Sequence, residues 1–325
     1  MPGLDISQLV ATTGAYFRDM DNRNLFWDMF GAMEFIGKHI TVEDGNPDEL
    51  AKGQIKFKKV LKPRQATWTP TTTPAEVKAR IVKVRQAEVS IDIDNIRDLH
   101  KNFLAKFKRP GAQANNLPFE SELMDGFVEQ AKEDLAVDAL FQGVHDSGGT
   151  DPVDVFDGYN KIIADEITAL NLTPIVTGAL TSSNTVEKLD LVLNGVSEKW
   201  RYKKLKMFVS PQISRWYFSN YKTLNSGNAP NQKDVIRELM NGKTLAEKAM
   251  YLDNSECEIV PAEGLAGSQR VIVCPQKNII LSHDSLADLE TLTVEYMKRV
   301  FSIYMDMSVG VGFHTLDALW VNDQV

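Results

Sequence analysis

The chain has 325 residues, 43% hydrophobic and 25% charged, the balance of an ordinary globular protein rather than a disordered one. Its 36 basic and 44 acidic residues leave a net charge of -8, which argues against nucleic-acid binding over the bulk surface, where Lys and Arg must displace the counterions along the phosphates. No apolar run approaches the roughly 20 residues of a membrane-spanning helix, no secretory signal opens the chain, and two cysteines, Cys257 and Cys274, predict buried free thiols rather than a disulfide framework.

The first predicted element is a short amphipathic helix marked by Leu25, Phe26, Met29, Phe30, Met33 and Ile36, followed by a turn at DGNPDE, Asp44 to Glu49. From Gln54 to Gln86 the chain then concentrates nine Lys or Arg residues against a single acid, Glu76, leaving 27 basic and 43 acidic residues elsewhere, a net of -16. Ile55, Phe57, Val60 and Leu61 alternate loosely with lysines. After the break TPTTTP, the run Val77–Val84 alternates again and continues through Val89, Ile91 and Ile93. Two β-rich runs joined by a Pro/Thr tip predict a long basic hairpin over residues 51–94 with one buriable face. A two-stranded ribbon is marginal alone in water, so it needs something to lie on.

A helix is expected from about Asn116, with Pro118 in its first turn, to about Gln142. Phe119, Leu123, Phe127, Ala131, Leu135 and Ala139 form its stripe, and Gly126 is a weak point within it. GVHDSGGTDP, Gly143 to Pro152, is the clearest internal boundary, with Asp151 placed to cap a helix starting at Pro152. Helical spacing recurs over Val186–Trp200. Lys206–Val209 reads as a strand, and Ser210-Pro211 as the N-cap and first residue of a helix whose Ile213, Trp216, Tyr217, Tyr221 and Leu224 share a face. From Cys257 the pattern is mostly strand, in CEIVPA, QRVIVCP, NIILSHD and one long run, Leu292 to Tyr304.

Catalytic and metal patterns are missing from the sequence. None of the five histidines has a His or Cys partner at ligand spacing. Asp92, Asp94 and Asp98 begin like a calcium loop but lack its Gly and final Glu, and are better explained as acids at a helix N-terminus. Asp146, Asp151, Asp154 and Asp157 fit solvated loop and cap residues. GVGF, Gly310 to Phe313, lies too close to the C-terminus to open a dinucleotide-binding unit. No enzyme activity and no cofactor are expected.

The order of these parts carries a resemblance. LFQGVHDSGGTDPVDVFDGYNKI (Leu140 to Ile162), KMFVSPQISRWYFSNYKTL (Lys206 to Leu224) and the closing section from Asn278 to Val321 follow the basic hairpin and long helix. The whole resembles the major capsid proteins of tailed bacteriophages with the HK97-like fold. That resemblance implies an α+β chain with an N-terminal arm (1–50), an extended β-hairpin E-loop (51–94) and a P-domain containing the long spine helix (95–148). An A-domain (149–275), returning P-domain strands (276–308) and a C-terminal segment back in the A-domain (309–325) complete it. It further implies hexamers and pentamers forming an icosahedral shell around double-stranded DNA, without sequence-specific DNA binding or membrane contact. Scaffolding, portal and decoration proteins are the implied partners, and the virion, assembled in a bacterial cytoplasm, is the implied location. The E-loop residues expected at subunit contacts are Lys56, Lys58, Lys59, Lys62, Arg64, Trp68, Lys78, Arg80, Lys83 and Arg85. The segment before the hairpin is too short for a large fused scaffold, so scaffolding in trans, or none, is implied. Glu290 to Gly312 holds no Asn, so the Lys–Asn crosslink of some family members is not expected. The alternative is a nucleic-acid-binding protein whose basic ribbon enters a groove.

Overall fold

A computed structural model describes residues 34–45, 48–57, 61, 63–64, 67, 75–96, 98–99, 119–224, 250–252, 255–284, 293–297 and 300–324. The predicted first helix falls largely outside them; its described end, α1 (Glu34–His39), buries Ile36. Strand β1 (Thr41–Glu43) follows, and then the ribbon, β2 (Glu49–Phe57) antiparallel to β3 (Ala75–Lys83).

The second run of the predicted hairpin is split at Val84. Its continuation, β4 (Arg85–Asp94), leaves the ribbon and pairs antiparallel with β11 (Val300–Phe313) from Arg85↔Val309 to Asp94↔Val300. The paired ribbon therefore ends at Lys83, and residues 85–94 belong to a sheet. Alternation alone could not show this, because one strand pattern serves both pairings. Asp92 and Asp94 accordingly lie on the exposed face of β4. Asp98 lies in the first turn of the helix that begins at Ile96, where its N–H donates to Asn95 O at 2.7 Å, so the helix N-terminus expected for these acids holds for Asp98. The predicted single run Leu292–Tyr304 is likewise two antiparallel strands, β10 (Thr293–Met297) and β11, which extends to Phe313. β9 (Ile279–His283) pairs with the far end of β11 and, in parallel, with β1.

The long helix runs to Gln142: α2 (Phe119–Glu133), a π-helical segment (Asp134–Ala139) and a last turn (Leu140–Gln142). The stripe residues are four apart, and in an α-helix each such step rotates about 40° around the axis. The wider turns of the π segment undo part of that rotation. Leu135, Ala139, Leu140 and Phe141 thus all enter the core. Beyond the helix two glycines meet. A Cβ on Gly143 would lie 2.4 Å from the Phe156 carbonyl oxygen, and one on Gly158 would lie 2.8 Å from the Gly143 nitrogen. Gly158 N–H donates to Gly143 O at 2.8 Å, which seats the start of α3 (Tyr159–Thr168) against the end of the long helix. Pro152–Asp154 forms a single 3₁₀ turn where a helix was expected.

The second sheet has the order β12–β8–β5–β7–β6, built from β5 (Leu205–Val209), β6 (Met250–Tyr251), β7 (Cys257–Pro261), β8 (Ile272–Cys274) and β12 (Trp320–Val321). Both its faces are buried, which explains its near-continuous apolar runs. Phe208, Val260, Ile272 and Cys274 face one core, shared with β9, β11 and the long helix. Leu205, Met207, Val209 and Ile259 face a second, under α4 (Thr185–Gly195) and α6 (Pro211–Leu224). A short helix, α5 (Glu198–Arg201), lies between α4 and β5. The Ser210 hydroxyl accepts from Ile213 N–H at 3.3 Å at the start of α6, as the Ser-Pro pair predicted. Leu224, assigned to the buried face of α6, is 63% exposed instead. Among the described residues no helix is long and apolar enough to cross a membrane.

Candidate inter-subunit surface

Residues paired across an antiparallel ladder share a face, so the register sorts the ribbon. Ala51 opposite Ile81 and Gly53 opposite Ala79 fall on one face, which continues along β2 through Ile55 and Phe57. All six are exposed, with Ile55 at 60%, Phe57 at 69% and Ile81 at 56%. Lys52 opposite Arg80 and Leu50 opposite Val82 fall on the other face, which is turned toward the protein's own body.

The ribbon is fixed to that body at its base. Gly310 and Gly312 of β11 leave room for it: a Cβ on Gly310 would lie 2.2 Å from the Lys83 carbonyl oxygen, and one on Gly312 would lie 2.6 Å from Val82 Cγ2. GVGF is therefore the seat of the ribbon. Alternate glycines in a strand signal such a close backbone approach. Above the seat, Arg80 Nη2 donates to Glu166 Oε1 of α3 at 2.7 Å, with both side chains about four-fifths buried. Lys52 pairs with Glu43 of β1. A crevice of about 180 Å³ lies between ribbon base and α3, lined by Arg80, Lys83, Arg85, Asp157, Asp165 and Glu166 among others.

The predicted contact residues are thus dispersed. Lys58, Lys59, Lys62 and Trp68 lie outside the described residues. Of Lys56 and Lys78 the backbone register is described, opposite Glu76 and Gln54. Arg64 and Lys83 are exposed, Arg85 is half-buried beside the crevice, and Arg80 is engaged by Glu166 of its own chain. Glu43 and Glu166 had no signal in the sequence, because each is one acid among many.

On the other side of β4, a groove of about 750 Å³ runs between that strand, the π segment and the loop after the long helix, and carries Glu88, Asp134, Asp146, Asp151 and Asp154. Several of these acids are occupied in turns: Asp146 Oδ1 accepts from Gly148 N–H at 2.9 Å, and Asp154 Oδ2 from Asp151 N–H at 3.1 Å. Among the described residues no group of three or more His, Cys, Asp or Glu could hold a metal ion. Burial pushes the Cys257 thiol up to about 12 and that of Cys274 higher still, so neither is an activated nucleophile.

No family model matches the sequence, and no curated protein does. Solved structures do resemble the fold. A chain of the satellite phage P4 procapsid matches with a TM-score of 0.56 at 12% identity, over 92% of this chain and 98% of that one. A chain of the Gordonia phage Cozz structure matches with a TM-score of 0.51 at 12% identity, over 89% and 85%. The protein has the mixed helix-and-sheet fold of phage capsid chains.

Proposed function

We propose that the chain is the major capsid protein of a tailed bacteriophage or prophage, a structural protein and not an enzyme, which self-assembles into a shell enclosing double-stranded DNA. The likeness to a procapsid chain over nearly the full length of both proteins carries this reading. On it, the parts take the HK97-like roles: N-terminal arm, E-loop ribbon, P-domain with the long helix as spine, and A-domain around the second sheet. Hexamers and pentamers form the shell, with scaffolding, portal and decoration proteins as further partners. The ribbon reaches sister subunits, and Lys56, Lys58, Lys59, Lys62, Arg64, Trp68, Lys78, Arg80, Lys83 and Arg85 supply contacts there. An acidic body supports the role, since a shell lining dense DNA must not adhere to it.

The test is to express the chain and examine it by negative-stain electron microscopy and size exclusion. Shells, tubes or hexamer-sized rings are expected. A monodisperse monomer that binds duplex DNA tightly at moderate salt would overturn the reading, especially if changing Lys56, Lys58, Lys83 and Arg85 to Glu abolished that binding.

A further inference from the structure

Outside the ribbon, positive charge gathers again in EKWRYKKLK, Glu198 to Lys206, where five Lys or Arg stand against one acid. This stretch forms α5 and the turn into β5. Its cations divide by partner. Arg201 Nη2 donates to the Asn194 carbonyl at 2.6 Å and to the Val196 carbonyl at 3.2 Å, at the end of α4. Lys206 pairs with Glu258 of β7. Lys199, Lys203 and Lys204 are exposed, and none has a carboxylate partner among the described residues. Lys203 Nζ lies 4.3 Å from the centroid of the Trp200 ring, which packs against the second core and lies 6.4 Å from Trp320. Tyr202, between the anchored Arg201 and Lys203, is 72% exposed.

Exposed lysines or a lone exposed Tyr are ordinary. Three such lysines around a bare aromatic ring, on a turn fixed by Trp200 and Arg201, match a more specific ligand. We propose that Lys199, Tyr202, Lys203 and Lys204 form a weak site for single-stranded nucleic acid, the lysines on phosphates and a base stacked on Tyr202. This goes beyond the capsid reading and does not depend on it. A single strand offers both a phosphate chain and open base faces. A duplex keeps its base faces inside the stack, and an acidic peptide leaves the Tyr202 ring unused. A lipid surface requires bulky apolar anchors, whereas Trp200 is packed on the second core. Glu198 and Glu256, both exposed, border the patch and confine the site to a few phosphates.

The test is fluorescence anisotropy of a labelled oligothymidylate of about 15 nucleotides, titrated with the full-length chain, dissociated into subunits where it assembles. Binding is expected at low salt, with log affinity falling against log salt at a slope of about -2, for three phosphates on a single strand. Tyr202→Ala should weaken it about ten-fold at an unchanged salt slope, and Tyr202→Trp should keep it. Lys199→Glu/Lys203→Glu/Lys204→Glu should abolish it, while changing Lys56, Lys58, Lys83 and Arg85 to Glu should leave it in place. All these sites in the patch are exposed, so wild-type melting temperatures are expected of its variants. Absence of binding by the wild-type chain, undiminished binding by Tyr202→Ala or by the triple Glu variant, or loss of binding in the ribbon variant would overturn the proposal. So would equal affinity for a duplex of the same length, equal competition by polyglutamate, or a preference for phosphatidylserine vesicles. None of these outcomes bears on particle formation, by which the capsid reading is judged.

Discussion

Arg80 Nη2 and Glu166 Oε1 lie 2.7 Å apart and join the second strand of the ribbon to a helix 86 residues further along the chain. The pair sits two residue pairs along the ribbon from Val82, which packs on Gly312, so it ties the ribbon to α3 just beyond the glycine seat. Part of the charge anomaly in the sequence therefore serves the subunit itself.

Breaking that pair should loosen the ribbon without unfolding the protein. Arg80→Glu or Glu166→Arg alone is expected to lower stability by about 0.5–1 kcal/mol, the scale of a partly exposed ion pair. The double reversal should recover most of the loss, with a positive coupling in the cycle. Thermal melts at low and high salt would check both; purely additive losses would show that the pair is not coupled.

The seat should tolerate no side chain. Gly310→Ala places a Cβ against the Lys83 carbonyl and Gly312→Val drives a larger group into Val82. Each is expected to cost about 1–3 kcal/mol by overpacking. Hydrogen exchange should show β3 losing protection while β5 and β7, in the other sheet, keep theirs. Uniform loss across both sheets would mean that the seat has no local role.

Alkaline pH should destabilise the subunit. Burial is the first cause of the raised Cys257 thiol, held at about 12, with the Glu258 charge second; burial also raises Cys274 and Tyr159. These groups stay protonated in the folded state while the unfolded thiols ionise near 9.0. Their contribution is thus complete below about pH 9 and is lost as pH rises toward 12. The melting temperature should be flat from about pH 7 to 8.5 and fall above 9, with a shallower fall in a Cys257→Ala/Cys274→Ala variant than in the parent.

Much of the fold was legible where local chemistry and tertiary outcome agree. The ribbon followed from alternation and its Pro/Thr tip, and α6 from Ser210-Pro211. The long helix followed from a stripe running from Phe119 to Ala139. Legibility failed where partners decide. Nothing in Arg85–Asp94 says whether it pairs with β2 or β11, and the π segment exists to keep Leu135 and Ala139 on a face set by the sheets. The direction of the charges was hidden for the same reason: Lys52 and Arg80 look like any exposed cations until the register sets them beside Glu43 and Glu166.

The most direct measurement is a cryo-electron microscopy reconstruction of the assembled product of the wild-type chain. The account predicts a closed shell of hexamers and pentamers, with each ribbon lying on a neighbouring subunit. A stable monomer at assembly concentrations, or a shell in which the ribbon touches no neighbour, would contradict it.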